Sequence, residues 1–185
     1  MTFEELDQRA IQWNEIANWR RTIEERIDTQ IDQCQEEINN EFFKWAGELN
    51  KYHSEFTYEH IMTELLDGYA DSRFVVTEMR NLSLEESYFE LYELVEITAK
   101  CNFDDDVLLE AYRRVIESNF SKFVDLSEKH DLMWAQGEAL KMSTLLGSEQ
   151  LITVELTQGY WVFRDQNGKI RKPSTFKPVD LSDLV

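Results

Sequence analysis

Asn102, Asp104 and Asp106 alternate like the first ligands of a calcium-binding loop. Such a loop needs glycine at its sixth position and a bidentate glutamate at its twelfth. Those positions hold Val107 and Arg113. Three consecutive aspartates, Asp104, Asp105 and Asp106, suit the positive end of a helix macrodipole instead. Asp165-x-Asn167-Gly168 fails the same ligand test and reads as a turn. A carboxylate-bridged metal site in a helical bundle wants Glu-x-x-His on two helices. No such pair occurs, and the acids beside His53, His60 and His130 are what 37 acidic residues supply by chance. The two cysteines stand 67 positions apart without a CxxC partner, so neither a zinc site nor a disulfide framework is expected. Cys34 reads as a small buried hydrophobe.

Phosphate and acyl chemistry are equally poorly provided for. There is no P-loop, GxGxxG or GxSxG, and six glycines in all leave little material for a phosphate cradle. No catalytic residue, cofactor or metal is therefore assigned. One mixed segment remains: Tyr160, Trp161 and Phe163 run into Arg164, Lys169, Arg171, Lys172 and Lys177, and residues 164–177 sum to +4. Aromatic and basic residues together can stack bases and neutralise phosphates. In so acidic a chain, packing on its own helices or on a second subunit is the better reading. The terminal Asp183-Leu184-Val185 has the weak form of a segment that adds to a peptide-binding groove.

Charge is the strongest compositional fact. The net charge is −18, with −19 over residues 1–150 and +1 over residues 151–185. Such a body repels nucleic acid and anionic lipid, and is steered toward basic partners. Plain solubility explains the acidity equally well. A content of 42% apolar residues with 23 aromatic rings supports a packed core. An acidic N-terminus and the lack of an apolar run of about 18 residues point to a cytoplasmic protein without leader or membrane span.

The elements that carry these residues are read from periodicity. Between Ile16 and Leu49 apolar residues recur every three or four positions, with Trp19, Ile23, Ile27, Ile31, Ile38, Phe42 and Trp45 on one seam. The average step of about 3.67 residues favours one straight amphipathic rod over a supercoil. Thr2 and Glu5 form a capping-box pattern upstream. A helix running unbroken from there to residue 50 would reach roughly 70 Å. It therefore either breaks near residues 13–18 or projects to pair with a second copy. Opposite the seam lies an acidic ridge of Glu24, Glu25, Asp28, Asp32, Glu36, Glu37 and Glu41.

Further helices are expected from Ser54 or Thr57 to Asn81, kinked near Gly68 and Asp71, and from Leu84 to about Lys100, opened by Ser83 and Glu86. The second is apolar on most of its circumference and should be central. Helical patterns continue over residues 107–124 and 132–147, as one rod or as two with a break near residues 126–131. After Gly147 the period shortens. Segments 151–156, 160–164 and 169–172 read as three strands, with Asn167-Gly168 as a hairpin turn whose two residues both take positive φ.

The expected fold is mainly α: a helical bundle on a long N-terminal amphipathic helix, over residues 1–147. A three-stranded antiparallel β-meander follows over 148–173, and an extended tail over 174–185. The expected function is non-catalytic binding, in which the acidic ridge, Glu85, Glu86 and Asp104 to Asp106 occupy the basic, nucleic-acid-binding surface of a partner. On this expectation the chain is an inhibitor or adaptor of the anti-defence type carried by phages and mobile elements, a nucleic-acid mimic. The rival is an oligomeric assembly chaperone or scaffold, a homodimer or larger, joined through the seam. A third reading is an enzyme with an acidic cleft, which requires clustered carboxylates of raised pKa in a pocket.

Overall fold

The chain is mostly helical with a small three-stranded antiparallel sheet toward the C-terminus. This is a computed structural model, and it describes residues 1–84, 87–147 and 151–185, with 87 and 88 as backbone only. The elements are α1 (Phe3–Ala17), α2 (Ile23–Gln35), a π-helix (Glu36–Phe42), α3 (Phe43–Leu49), α4 (Tyr58–Asn81), α5 (Ser87–Asn102), α6 (Asp105–Phe120), β1 (Val124–Asp125), α7 (Leu132–Leu146), β2 (Thr153–Thr157), β3 (Tyr160–Arg164) and a final 3₁₀ turn (Ser182–Leu184). They cluster into two compact units. Unit 1 holds residues 1–14, 20–116 and 179–185, and unit 2 holds 15–19 and 117–178. This division falls before the boundary expected at residue 147.

The expected long rod is interrupted. α1 ends at Ala17, and a new helix starts at Ile23 behind a full capping box. The Thr22 hydroxyl accepts from the Glu25 N–H at 3.2 Å, and the Glu25 carboxylate accepts from the Thr22 N–H at 2.8 Å. Four N–H groups at a helix start lack partners, and this box satisfies two backbone donors at once. It places the break just beyond the expected 13–18 window. The Thr2–Glu5 box opens α1 as the sequence suggested. From Ile23 to Leu49 the backbone stays helical but widens through the π-turns. There Cys34, Ile38 and Phe42 are buried in steps of four.

The central element is α4, buried on nearly every side from Ile61 to Met79. Thr57 caps it by accepting from the His60 N–H at 3.2 Å. It runs without a break through Gly68 and Asp71. A side chain there would meet the Phe42 Cα at 3.1 Å, so glycine admits the π-helix backbone against α4. The expectation that residues 84–100 form the central helix fails. α5 buries one stripe, Tyr92, Val95 and Ala99, and exposes Leu91, Leu94 and Ile97 on its outer face. The Ser83–Glu86 box falls in part outside the described residues.

Arg73 of α4 ties unit 1 together. Its Nε and Nη2 donate to the two oxygens of Asp7 on α1, at 3.2 and 2.9 Å, and Nη1 donates to Glu96 of α5 at 3.4 Å. Its guanidinium lies 4.3 Å from the Phe3 ring centre and 5.2 Å from that of Tyr112 on α6. The last residues are not a free tail. Leu181 is buried, and Arg114 donates to the Asp180 carbonyl at 2.8 Å and to Asp183.

Unit 2 packs α7 on the sheet through Ala135, Ala139 and Met142 against Val124, Ile152, Trp161 and Phe163. The sheet order is β1-β3-β2, all antiparallel. Its third strand is therefore Val124–Asp125, not residues 169–172. The latter make only the bridge Arg164–Ile170 beside β3, so the sheet is not a meander of consecutive strands. The hairpin geometry also moves. Gln158 and Gly159 join β2 to β3 with φ of 49° and 87°, the two positive angles of a tight hairpin turn. At the other site Gly168 alone has positive φ. There Asp165 Oδ1 accepts from the Asn167 and Lys169 N–H groups at 2.9 Å each, an aspartate-held turn.

Candidate functional site

The acidity of the chain belongs to unit 1. Unit 2 contains nine acidic and eight basic side chains, a net of −1, so unit 1 carries −17 of the −18. Within it, α2 and the π-helix present the ridge. Glu24, Glu25, Asp28, Asp32 and Glu36 are exposed, and Glu37 and Glu41 are half-buried. Glu25 is committed to the cap at Thr22. Glu36 accepts from Asn40 Nδ2 at 2.6 Å, and Glu41 lies 4.0 Å from Lys44. Glu24, Asp28, Asp32 and Glu36 recur every fourth residue, about 6 Å apart along the axis at 1.5 Å per residue.

Buried polar pairs hold this face outward. Arg26 lies between the ridge acids in sequence and turns inward to Glu78 of α4, which also accepts from Asn81 Nδ2 at 3.2 Å. Gln30, next on the inner side, donates to Asn14 at 3.3 Å. With Arg26 and Gln30 turned inward, Asp28 between them is exposed.

The other acids of the expected site are elsewhere. Glu85 and Glu86 lie outside the described residues. Asp104, Asp105 and Asp106 are exposed at the start of α6. Asp105 and Asp106 line a cavity of about 410 Å³ with Arg73, Glu96 and Lys100, which no ridge acid borders. No group of three or more His, Cys, Asp or Glu among the described residues could hold a metal ion. No helix of the described residues is long and apolar enough to cross a membrane.

The seam divides in two. Ile38, Phe42 and Trp45 are buried, Ile27 and Ile31 half-buried, and Trp19 and Ile23 are 45% and 65% exposed. Three of the seven seam residues are therefore core, two are half-buried, and the first two lie on the surface. Trp19 Nε1 donates to Glu155 at 3.1 Å.

Several titrations are displaced. Burial, then the charges of Glu64 and Glu41, pushes Asp67 up to about 6. Its Oδ1 is buried without a hydrogen bond. Hydrogen bonds from Arg113 and then Arg114 hold Glu110 down at about 2 against its partial burial. Burial lifts the Cys34 thiol to about 11, which leaves it unreactive.

The aromatic and basic C-terminal segment is not assembled for base stacking. Trp161 and Phe163 are core residues. Arg164 donates to Glu155 at 2.6 Å and to the Ala17 carbonyl, and Arg171 clasps Asp165 at 3.0 and 2.6 Å. The inward-turned Arg26 and the buried Arg73 and Glu78 escaped sequence reading, because charged residues in a strongly charged chain look like surface. The capping box was legible as Thr22-x-x-Glu25. Comparison with protein families, characterised proteins and solved structures finds no match for this chain.

Proposed function

We propose that this protein is a non-catalytic binding module whose acidic unit occupies a basic, nucleic-acid-binding surface of a partner protein in the cytoplasm. It acts there as an inhibitor or adaptor of the anti-defence type used by phages and mobile elements. The observation that carries this reading is the segregation of charge. Unit 1 holds −17, and Glu24, Asp28, Asp32 and Glu36 stand exposed at four-residue intervals on one helical run. One carboxylate per roughly 6 Å is sparser than the duplex phosphate array, which offers one charge per about 1.7 Å of axis. The ridge therefore works with the other exposed acids of its unit.

Binding of this kind is steered by charge and weakens as salt screens it. The test is capture of partners from lysate on the immobilised protein, with elution by a salt gradient. Beside it runs the triple reversal Asp28→Lys, Asp32→Lys, Glu36→Lys. The expected partner is basic, elutes early and is lost by the reversal. A partner held equally by the reversed protein, or insensitive to salt, overturns the reading.

The oligomer reading retains one specific support, the exposure of Trp19 and Ile23. Light scattering on Ile23→Glu tests it: a concentration-dependent oligomer that this change abolishes favours assembly over inhibition.

A further inference from the structure

Unit 2 contains a built groove of opposite character to the acidic ridge. Segment 169–174 is pinned at both ends. The Arg171 N–H donates to the Phe163 carbonyl at 2.8 Å, and the Ser174 N–H donates to Glu138, a buried carboxylate of α7. Between this segment and the C-terminal end of α7 lies a cavity of about 400 Å³. Met142, Leu145, Leu146 and Ile170 make its apolar wall, and Leu145 is 85% exposed. The rim is basic. Lys169 and Lys172 are exposed, while the guanidinium of Arg171 is held by Asp165.

We infer that this groove binds an acidic peptide segment bearing large apolar side chains, supplied by a partner protein. Charge complementarity selects the occupant: the rim is cationic in a chain that elsewhere carries the opposite sign. The volume is near the lower end of small-ligand pockets, about 300–1,000 Å³, enough for one or two inserted side chains. An anionic bilayer fits less well, because Met142 is recessed and the chain as a whole carries −18. The inference does not depend on the ridge: one surface seeks a basic partner and the other an acidic one.

The probe is a fluorescein-labelled peptide in which leucine and glutamate alternate, read by anisotropy against the intact chain. Controls replace leucine by serine, or glutamate by lysine. Saturable binding of the Leu/Glu peptide alone is expected. It should weaken about tenfold or more in Lys169→Glu/Lys172→Glu, from the loss of rim charge, and again in Leu145→Ser, an exposed position whose change leaves the core intact. The ridge reversal should bind the peptide undiminished, which separates failure here from failure of the proposed function. Absence of saturable binding overturns the inference. So does equal binding of the serine peptide, flotation with phosphatidylglycerol vesicles through the same lysines, or self-association through this face.

Discussion

Arg26, a half-exposed residue on the inner edge of the acidic ridge, donates its guanidinium to Glu78, a carboxylate with no solvent exposure in the central helix. Removing one partner of such a pair leaves an uncompensated buried charge, at a cost of about 3–5 kcal/mol. Arg26→Met is expected to lose stability in that range by urea denaturation. Arg26→Met combined with Glu78→Gln should recover much of the loss, since the stranded charge is gone. A single variant as stable as the parent would mean that water reaches Glu78.

Gly68→Ala separates packing from propensity. Alanine is favoured over glycine in a helix interior by about 1 kcal/mol. Here, however, the new methyl would stand 3.1 Å from the Cα and 3.3 Å from the N of Phe42. Backbone atoms yield less readily than side chains, and overpacking costs about 1–3 kcal/mol. A lowered melting temperature is expected, and a raised one would show that the π-helix can move away from α4.

Asp67 makes stability depend on pH in a definite direction. Its folded pKa of about 6 lies above its ordinary 3.8. Between those values the folded state holds the proton more often, so this group's contribution to stability falls as pH rises through that window and stays low above it. Asp67→Asn should therefore be the more stable protein at pH 7.5, by on the order of 3 kcal/mol at about 1.4 kcal/mol per pKa unit. The advantage should vanish near pH 4. Paired denaturation curves at the two pH values decide it, and a pH-independent difference would contradict the assignment.

Thr22→Ala removes the side-chain half of the capping box that starts α2. Caps of this type contribute about 1 kcal/mol. Hydrogen exchange should show faster amides over residues 23–26, with α4 unaffected. If the new helix start were set by tertiary packing alone, those amides would not change.

Much of the helical content was legible because the apolar residues of α1, α2, α4 and α6 repeat at three and four. The capping boxes at Thr2 and Thr22 and the cap at Thr57 are local signals, and so is the turn at Gly159. Of the acidic stripe, five of the seven acids are exposed, as alternation with the apolar positions of a helix implies. What could not be read was selection among similar patterns. Trp19 and Phe42 occupy equivalent places in one periodic seam, yet Phe42 is fully buried with its backbone against Gly68 of α4, and Trp19 is 45% exposed. Val124–Asp125 is too short to announce a strand, and becomes one because β3 offers it a partner at Trp161 and Tyr160.

By itself, the sequence determined the mainly helical class, the small sheet near the C-terminus, the uneven charge and the acidic stripe along α2, since each follows from local periodicity or from counting. Tertiary structure alone decided which helix became central, where the rod broke for good, and which charged residues turned inward. It also brought residues 169–172 alongside α7 to make a basic groove. Those outcomes depend on pairing between segments far apart in the chain. Burial, and the hydrogen bonds that make buried charge tolerable, come into being only when the partners meet.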